Sequence, residues 1–195
     1  IFKEEVMSDY NEYEEYEEDN FLDYLRNLFV SPRTLGEEIK ERPAVLWFSL
    51  IVFCLAIVSF AVSGKPIVTS FFMSIGIYLS VVLTATVIFG MNKFLTGDMT
   101  YKEALSVWLC VQFIYLIGTI LGALLSGFSV ISFFVRMIIF LWDIYIAVVL
   151  IDETSYLGIN YSIMIVVITT ILMAVLGFLL MASMASSVMD ITQVQ

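Results

Sequence analysis

Five apolar stretches, each long enough to cross a bilayer as a helix, constrain this chain more than any other feature. They cover about residues 43–62, 67–91, 104–125, 130–151 and 161–185. A spanning helix needs roughly 20 mostly apolar residues. The hydrophobic share of the chain is 61%, whereas soluble domains hold roughly 45–50%. The pattern predicts an all-α membrane fold with five transmembrane helices over residues 43–187 and a short tail over residues 188–195.

The amino-terminal 20 residues form an acidic arm. Residues 1–23 hold ten of the nineteen acidic residues and one base, Lys3, so the net charge of −10 belongs mainly to this arm. Self-repulsion and a scarcity of aliphatic side chains predict that residues 1–20 are disordered. The arm is either a solvated tail or a docking segment for a basic partner.

Residues 21–42 predict two short amphipathic helices between the arm and the first span. In FLDYLRNLFV, residues 21–30, five apolar side chains share one helical face: Phe21, Leu22, Leu25, Leu28 and Phe29. This helix either lies in the membrane interface, which we favour, or packs on the cytosolic end of the bundle. Ser31 and Pro32 then start a second helix that carries Leu35 and Ile39 on one side.

Two sequence patterns mark the ends of the spans: a helix-capping motif and the distribution of basic residues. Thr100 and Glu103 match a capping box, which predicts the start of the third span at this point. Lys65 is the only base in the loop after the first span, and most bases near helix ends lie on the other side: Arg26, Arg33, Lys40, Arg42, Lys93 and Lys102. This asymmetry predicts a cytoplasmic amino terminus and, after five crossings, an outside carboxyl terminus.

Arg136 and Asp143 are charged residues well inside an apolar run. Arg136 lies near the outer end of the fourth span and can extend to the headgroups, which predicts an interfacial anchor. Asp143 has no such route, and four polar residues on the other helices lie at a similar depth: Gln112, Thr84, Thr169 and Thr170. We therefore expect a buried polar layer around Asp143. Such a layer serves as helix-packing contacts, as a proton or polar-substrate site, or as a contact for an intramembrane partner.

Small residues on the third span predict close helix packing. Gly118, Gly122 and Ser126 recur at four-residue spacing, which lets another helix approach the backbone. The partner helix belongs to the same chain or to a second copy in a homo-oligomer. The two cysteines lie inside apolar segments, where we expect free thiols rather than a disulfide.

The sequence shows none of the motifs that usually carry enzymatic chemistry. It contains no histidine, no clustered metal ligands, no phosphate-binding loop and no hydrolase elbow. The acidic arm would repel nucleic acid. We therefore expect a protein without cofactor, metal or catalytic activity that binds no nucleic acid and contacts the lipid bilayer.

The order of these features resembles the Yip1-domain family of five-helix membrane proteins over about residues 27–180. The resemblance rests on LFVSPRTLGEEIKERP before the first span, TGDMTYKEALSVW at the third, and LWDIYIAVVLIDETSYLGINYS across the fourth and its loop. Two features depart from the family pattern. No proline interrupts residues 104–125, and Asn160 and Tyr161 stand where a basic residue followed by Ala is common.

The resemblance implies a role in binding other membrane proteins. Eukaryotic relatives lie in early secretory membranes and recruit small prenylated GTPases, while some prokaryotic relatives resemble companions of export systems. We expect an accessory subunit of an ABC-type export system in a prokaryotic cell membrane. Two alternatives are a vesicle-trafficking factor in endoplasmic reticulum or Golgi membranes that recruits a small GTPase, and a small transporter or channel that uses Asp143.

Overall fold

The computed structural model describes the backbone of residues 22–192 and the side chains of residues 22–179. This part of the chain forms seven helices: α1 (22–30), α2 (Pro32–Glu41), α3 (Val45–Val62), α4 (Ile67–Phe94), α5 (Tyr101–Leu124), α6 (Ser129–Ser155) and α7 (Ile159–Thr192).

Five helices are long and apolar enough to cross a membrane: α3 to α6, and α7 over Ile159–Leu179. The prediction of an all-α membrane fold with five spans is therefore confirmed. The acidic arm lies outside the described residues, and α7 continues to Thr192, into the region predicted as a tail.

Helix α5 is the centre of the bundle. It contacts α3, α4, α6 and α2, whereas α7 packs against α6 and α4. Half of the most apolar stretch of α5 is buried, against 22% for α3 and for α7. Its buried positions include small residues such as Ala104, Ser106 and Gly118, whose short side chains let neighbouring helices approach its backbone closely.

The connection between α4 and α5 confirms the predicted capping box. The Thr100 backbone N–H donates to Glu103 Oε2 at 2.8 Å, and the Glu103 N–H donates to Thr100 Oγ1 at 3.4 Å. Asn92 Oδ1 accepts from the N–H of the buried Met99 at 3.1 Å. These bonds satisfy backbone donors that a helix start would otherwise leave unpaired, and they fold the connection against the end of α4.

One end of the bundle, here called the inner end, carries the start of α3 and the loops α4–α5 and α6–α7. Helices α1 and α2 pack there, since α2 contacts both α6 and α5. The basic residues of the sequence collect mainly at this end, which is why the sequence predicts that it faces the cytoplasm.

Helix α1 packs on the bundle, the less favoured of its two predicted positions. Tyr24 and Leu28 are buried in the core, while Leu22, Phe29 and Val30 are exposed. The predicted apolar face was therefore wrong in part. Tyr24 turns inward because its hydroxyl, a single donor, lies within hydrogen-bond reach of the Glu38 carbonyl, at 3.1 Å, and of the Arg42 carbonyl. Its ring lies against that of Phe48 in the core.

Candidate functional site

Asp143 occupies a buried position on α6, a helix that packs against α5, α7 and α2. Its side chain is 7% exposed, and its Oδ1 has no hydrogen-bond partner. In the described part of the chain no base forms an ion pair with it, since the one salt bridge there joins Arg33 and Glu153. A carboxyl group in this environment is costly and usually marks a functional or packing contact.

Four polar residues lie at one depth in the bundle. Measured along its own helix, each of Thr84, Gln112, Asp143 and Thr169 lies about 15–18 Å from the inner end, given a rise of 1.5 Å per residue. They come from α4, α5, α6 and α7, so each of these spans contributes one polar residue to the level of Asp143.

The members of the predicted layer differ in burial. Thr84 and Thr169 are buried, Gln112 is half-buried, and Thr170 is exposed. Thr170 is therefore not part of a buried layer: successive helical residues point about 100° apart, so Thr169 and Thr170 cannot both face inward. Its hydroxyl donates to the Val166 carbonyl at 2.8 Å.

No hydrogen bond joins the layer residues to one another among the side chains of residues 22–179. The Thr84 hydroxyl donates to the Ser80 carbonyl of its own helix at 2.7 Å. Thr169 Oγ1, like Asp143 Oδ1, is buried without a partner. Buried polar atoms are normally paired, so these two atoms, on the contacting helices α6 and α7, are open to a further polar contact.

Sequence reasoning missed other buried polar groups in the spans, among them the side chains of Trp142 and Ser106. Trp142 Nε1 and Ser106 Oγ also lack a hydrogen-bond partner. Trp142 directly precedes Asp143 on α6, and its ring lies 5.3 Å from that of Tyr145. The adjacency of Trp142 and Asp143 is the signal that could have identified the first group, whereas nothing in the sequence distinguishes Ser106 from a packing residue.

The predicted glycine ridge of α5 faces α6 of the same chain. A Cβ added to Gly118 would lie 2.6 Å from the Ile139 Cγ2, and one added to Gly122 would collide with the Arg136 side chain. Ser126 does not belong to this ridge, because it is exposed in the turn after α5 ends at Leu124. The close approach therefore rests on Gly118 and Gly122.

The inner end carries a second group of contacts, between α2 and the end of α6. Arg33 Nε lies 3.5 Å from Glu153 Oε1, and Lys40 Nζ lies 3.0 Å from the centre of the Tyr156 ring. Gly36 is buried directly against the Cβ of Glu153. Glu153 therefore belongs to the contact between α6 and α2.

Burial raises the pKa of two groups on the α1–α2 pair. Glu38 accepts a hydrogen bond from Asn27 Nδ2 at 2.6 Å, but its other oxygen is buried without a partner. Burial raises the Glu38 pKa, and the bond from Asn27 opposes that shift. Burial also raises the pKa of Tyr24, which therefore stays a neutral hydrogen-bond donor.

The family model for the Yip1 domain matches residues 26–186, which is most of the chain. The protein belongs to the Yip1-domain family. The match includes α2, the five spans and half of α1, so the inner-end contacts of this Yip1-domain protein lie within the family domain. With its five apolar helices it is an integral membrane protein. No match was found among curated proteins or among solved structures.

Proposed function

We propose that this Yip1-domain protein is a non-enzymatic accessory subunit that binds other membrane proteins, with an ABC-type export system as its partner. The observation that carries the proposal is the attachment of α1 and α2 to the inner end of the bundle. Tyr24, Leu28, Leu35 and Ile39 are buried in the same core as the spans. The acidic arm precedes α1 in the sequence, so the helix that follows the arm is held on the membrane domain.

A fixed starting point favours a docking role for the arm. A flexible segment loses less conformational entropy on binding when its attachment point is already ordered. The arm carries nine acidic residues within residues 1–20, which suits a basic surface on the cytoplasmic side of a partner. The bundle offers a second contact surface, because α6 exposes large apolar side chains along the membrane: Phe133, Phe134, Met137, Phe140 and Leu141.

Partner capture from native membranes in mild detergent tests the proposal. Three forms are compared: the full chain, a chain without residues 1–20, and a full-length chain in which the acids of that arm are changed to Asn and Gln. We expect stoichiometric recovery of a membrane transporter with the full chain, identified by mass spectrometry. If the transporter is lost with both altered forms, the contact depends on the charge of the arm, because the form with Asn and Gln keeps the full length.

Two outcomes would redirect the interpretation. Recovery of a small GTPase in place of a transporter would favour the trafficking alternative. The accessory role would be contradicted if the folded, membrane-inserted protein were recovered alone or only with copies of itself.

The buried polar atoms around Asp143 favour one alternative function, a transporter or channel. Asp143 Oδ1 and Thr169 Oγ1 lack partners on adjoining helices, as expected of groups that bind a proton or a polar solute. Purified protein in liposomes would then give pH-dependent flux that Asp143→Asn abolishes. Thr170→Val is the matched control, because Thr170 is exposed at nearly the same depth. Flux that is absent from the unaltered protein would exclude this alternative.

A further inference from the structure

Arg136 reaches the outer end of the bundle although its backbone lies well inside the span. Its Cα is about 10 Å along α6 from the first helical residue, Ser129, at 1.5 Å per residue. The side chain crosses to α5, where its Cγ and Cζ lie 3.1 Å from the place of a Cβ on Gly122. Gly122 belongs to the last turn of α5, so the guanidinium lies at the depth where that helix ends.

Gly122 makes this path possible. Any larger residue would place its Cβ against the Arg136 Nε. The Gly122 carbonyl accepts a hydrogen bond from Ser132 Oγ at 3.0 Å, and among residues 22–179 no hydrogen bond joins it to the guanidinium. The glycine therefore supplies space for the arginine, while the guanidinium keeps its five N–H donors for another acceptor.

No acidic partner for Arg136 lies among residues 22–179. The one salt bridge formed there is at the inner end. Apart from Asp143, which is buried, the acids between residues 43 and 179 lie at or near the inner loops: Asp98, Glu103, Asp152 and Glu153. Arg136 is exposed on the surface that meets lipid, next to the exposed apolar Phe133 and Met137. The environment that can pair with this charge is the headgroup layer.

We propose that Arg136, laid across Gly122, binds the phosphate of a phospholipid in the leaflet at the outer end of the bundle. A planar guanidinium matches two phosphate oxygens with two parallel hydrogen bonds. The acyl chains of that lipid would lie along the exposed apolar side of α6. This inference is independent of the proposed accessory function.

Native mass spectrometry with added phosphatidylglycerol tests the site. The full chain is released from detergent, and the lipids retained per protein are counted as the lipid concentration rises. We expect Arg136→Gln to weaken retention of the tightest lipid about tenfold, the effect of losing a charge-assisted hydrogen bond. Arg136→Lys keeps the charge but cannot form the bidentate hydrogen bonds. Its lipid retention should therefore lie between that of the unaltered protein and that of Arg136→Gln.

Matched controls separate the site from general effects. Lys65→Gln removes the same charge from the same end and should leave the tightest lipid in place. Gly122→Ala should weaken retention less than Arg136→Gln does, because the displaced arginine keeps its charge, whereas Gly76→Ala, a position with open space around its Cβ, should leave retention unchanged. Melting temperatures in detergent identify any variant that fails to fold, and the two Arg136 variants carry the test if Gly122→Ala is among them.

Three results would overturn the assignment. Equal retention by the unaltered protein and Arg136→Gln would show that the arginine does not bind lipid. Displacement of the retained lipid by inorganic phosphate at equal concentration would show a site for the free ion. Asp190 lies near the carboxyl end of α7, on the same outer side of the bundle. Equal loss of stability on Arg136→Gln and Asp190→Asn, with no further loss in the double variant, would show that the arginine pairs with this carboxylate of the chain.

Discussion

Gly36 is the position where a single added methyl group tests how α2 is attached to the bundle. It is buried on α2, and a Cβ there would lie 2.5 Å from the Cβ of Glu153 and 3.2 Å from its Cγ. The Glu153 Cβ is bonded directly to the backbone of α6, so it cannot rotate away. In Gly36→Ala the two helices must therefore separate.

Two opposing effects set the size of this change. Overpacking of a tight contact costs about 1–3 kcal/mol. Alanine in place of glycine inside a helix returns about 1 kcal/mol. The free energy that holds α2 on the bundle therefore falls by at most about 2 kcal/mol. This corresponds to an increase of up to about 30-fold in the equilibrium constant for detachment of α2.

Hydrogen–deuterium exchange of the backbone amides of residues 22–42 measures that opening in the purified protein. We expect faster exchange in Gly36→Ala and little change in Glu37→Ala, an exposed position on the same helix. Glu153→Gly in the Gly36→Ala background removes the collision and should restore slow exchange. The lost contact between Glu153 and Arg33 contributes little, since the Arg33 side chain is 75% exposed.

Exchange in Gly36→Ala that equals that of the unaltered protein would refute this reasoning, because α2 would then not pack tightly on α6. Faster exchange that Glu153→Gly fails to reverse would place the cause elsewhere in the helix.

Three further predictions concern other contacts. The raised pKa of Glu38 means that the attachment of α1 and α2 is strongest below that residue's ordinary pKa and weakens as pH rises through the raised value. Exchange of residues 22–42, compared at each pH with Glu38→Gln, should show this pH dependence only in the unaltered protein. Thr100→Ala removes the capping box of α5 and should cost about 1 kcal/mol of stability, measured by thermal unfolding in detergent with Thr119→Ala as the mid-helix control. Cys54→Trp should be tolerated because the Cys54 side chain is exposed, whereas Cys110→Trp should strongly destabilise the bundle because the Cys110 side chain is buried; thermal unfolding in detergent measures both variants, and equal losses of stability would contradict the described packing.

The sequence was a good guide to features that depend on local chemistry. Segment length and apolarity predict the five spans, and the capping box of Thr100 and Glu103 appears as expected. The order of motifs also predicts the family, and the Yip1-domain match confirms it. The spans and the capping box are each encoded within a few residues or one helix, and the order of motifs is read along the chain, so none of these features requires knowledge of which helices are neighbours.

Contacts between helices were harder to predict. The sequence pattern placed Thr170 in the polar layer and Ser126 on the glycine ridge, but both are exposed. It also missed the inward position of Tyr24, whose hydroxyl finds backbone carbonyls at Glu38 and Arg42, 14 and 18 residues away. A hydrogen bond over that distance depends on how α1 meets α2, which no local pattern encodes.

The sequence by itself determined that the chain is a five-span membrane protein with an acidic arm and a basic side. Only the tertiary structure decided which side of each span is buried, that Gly36 meets Glu153, and that Arg136 crosses Gly122. The reason is that lipid and protein interior are both apolar, so a span that is apolar all round carries no pattern that distinguishes its two sides. The choice between the sides is made by shape, by small residues and by the few polar groups that need a partner.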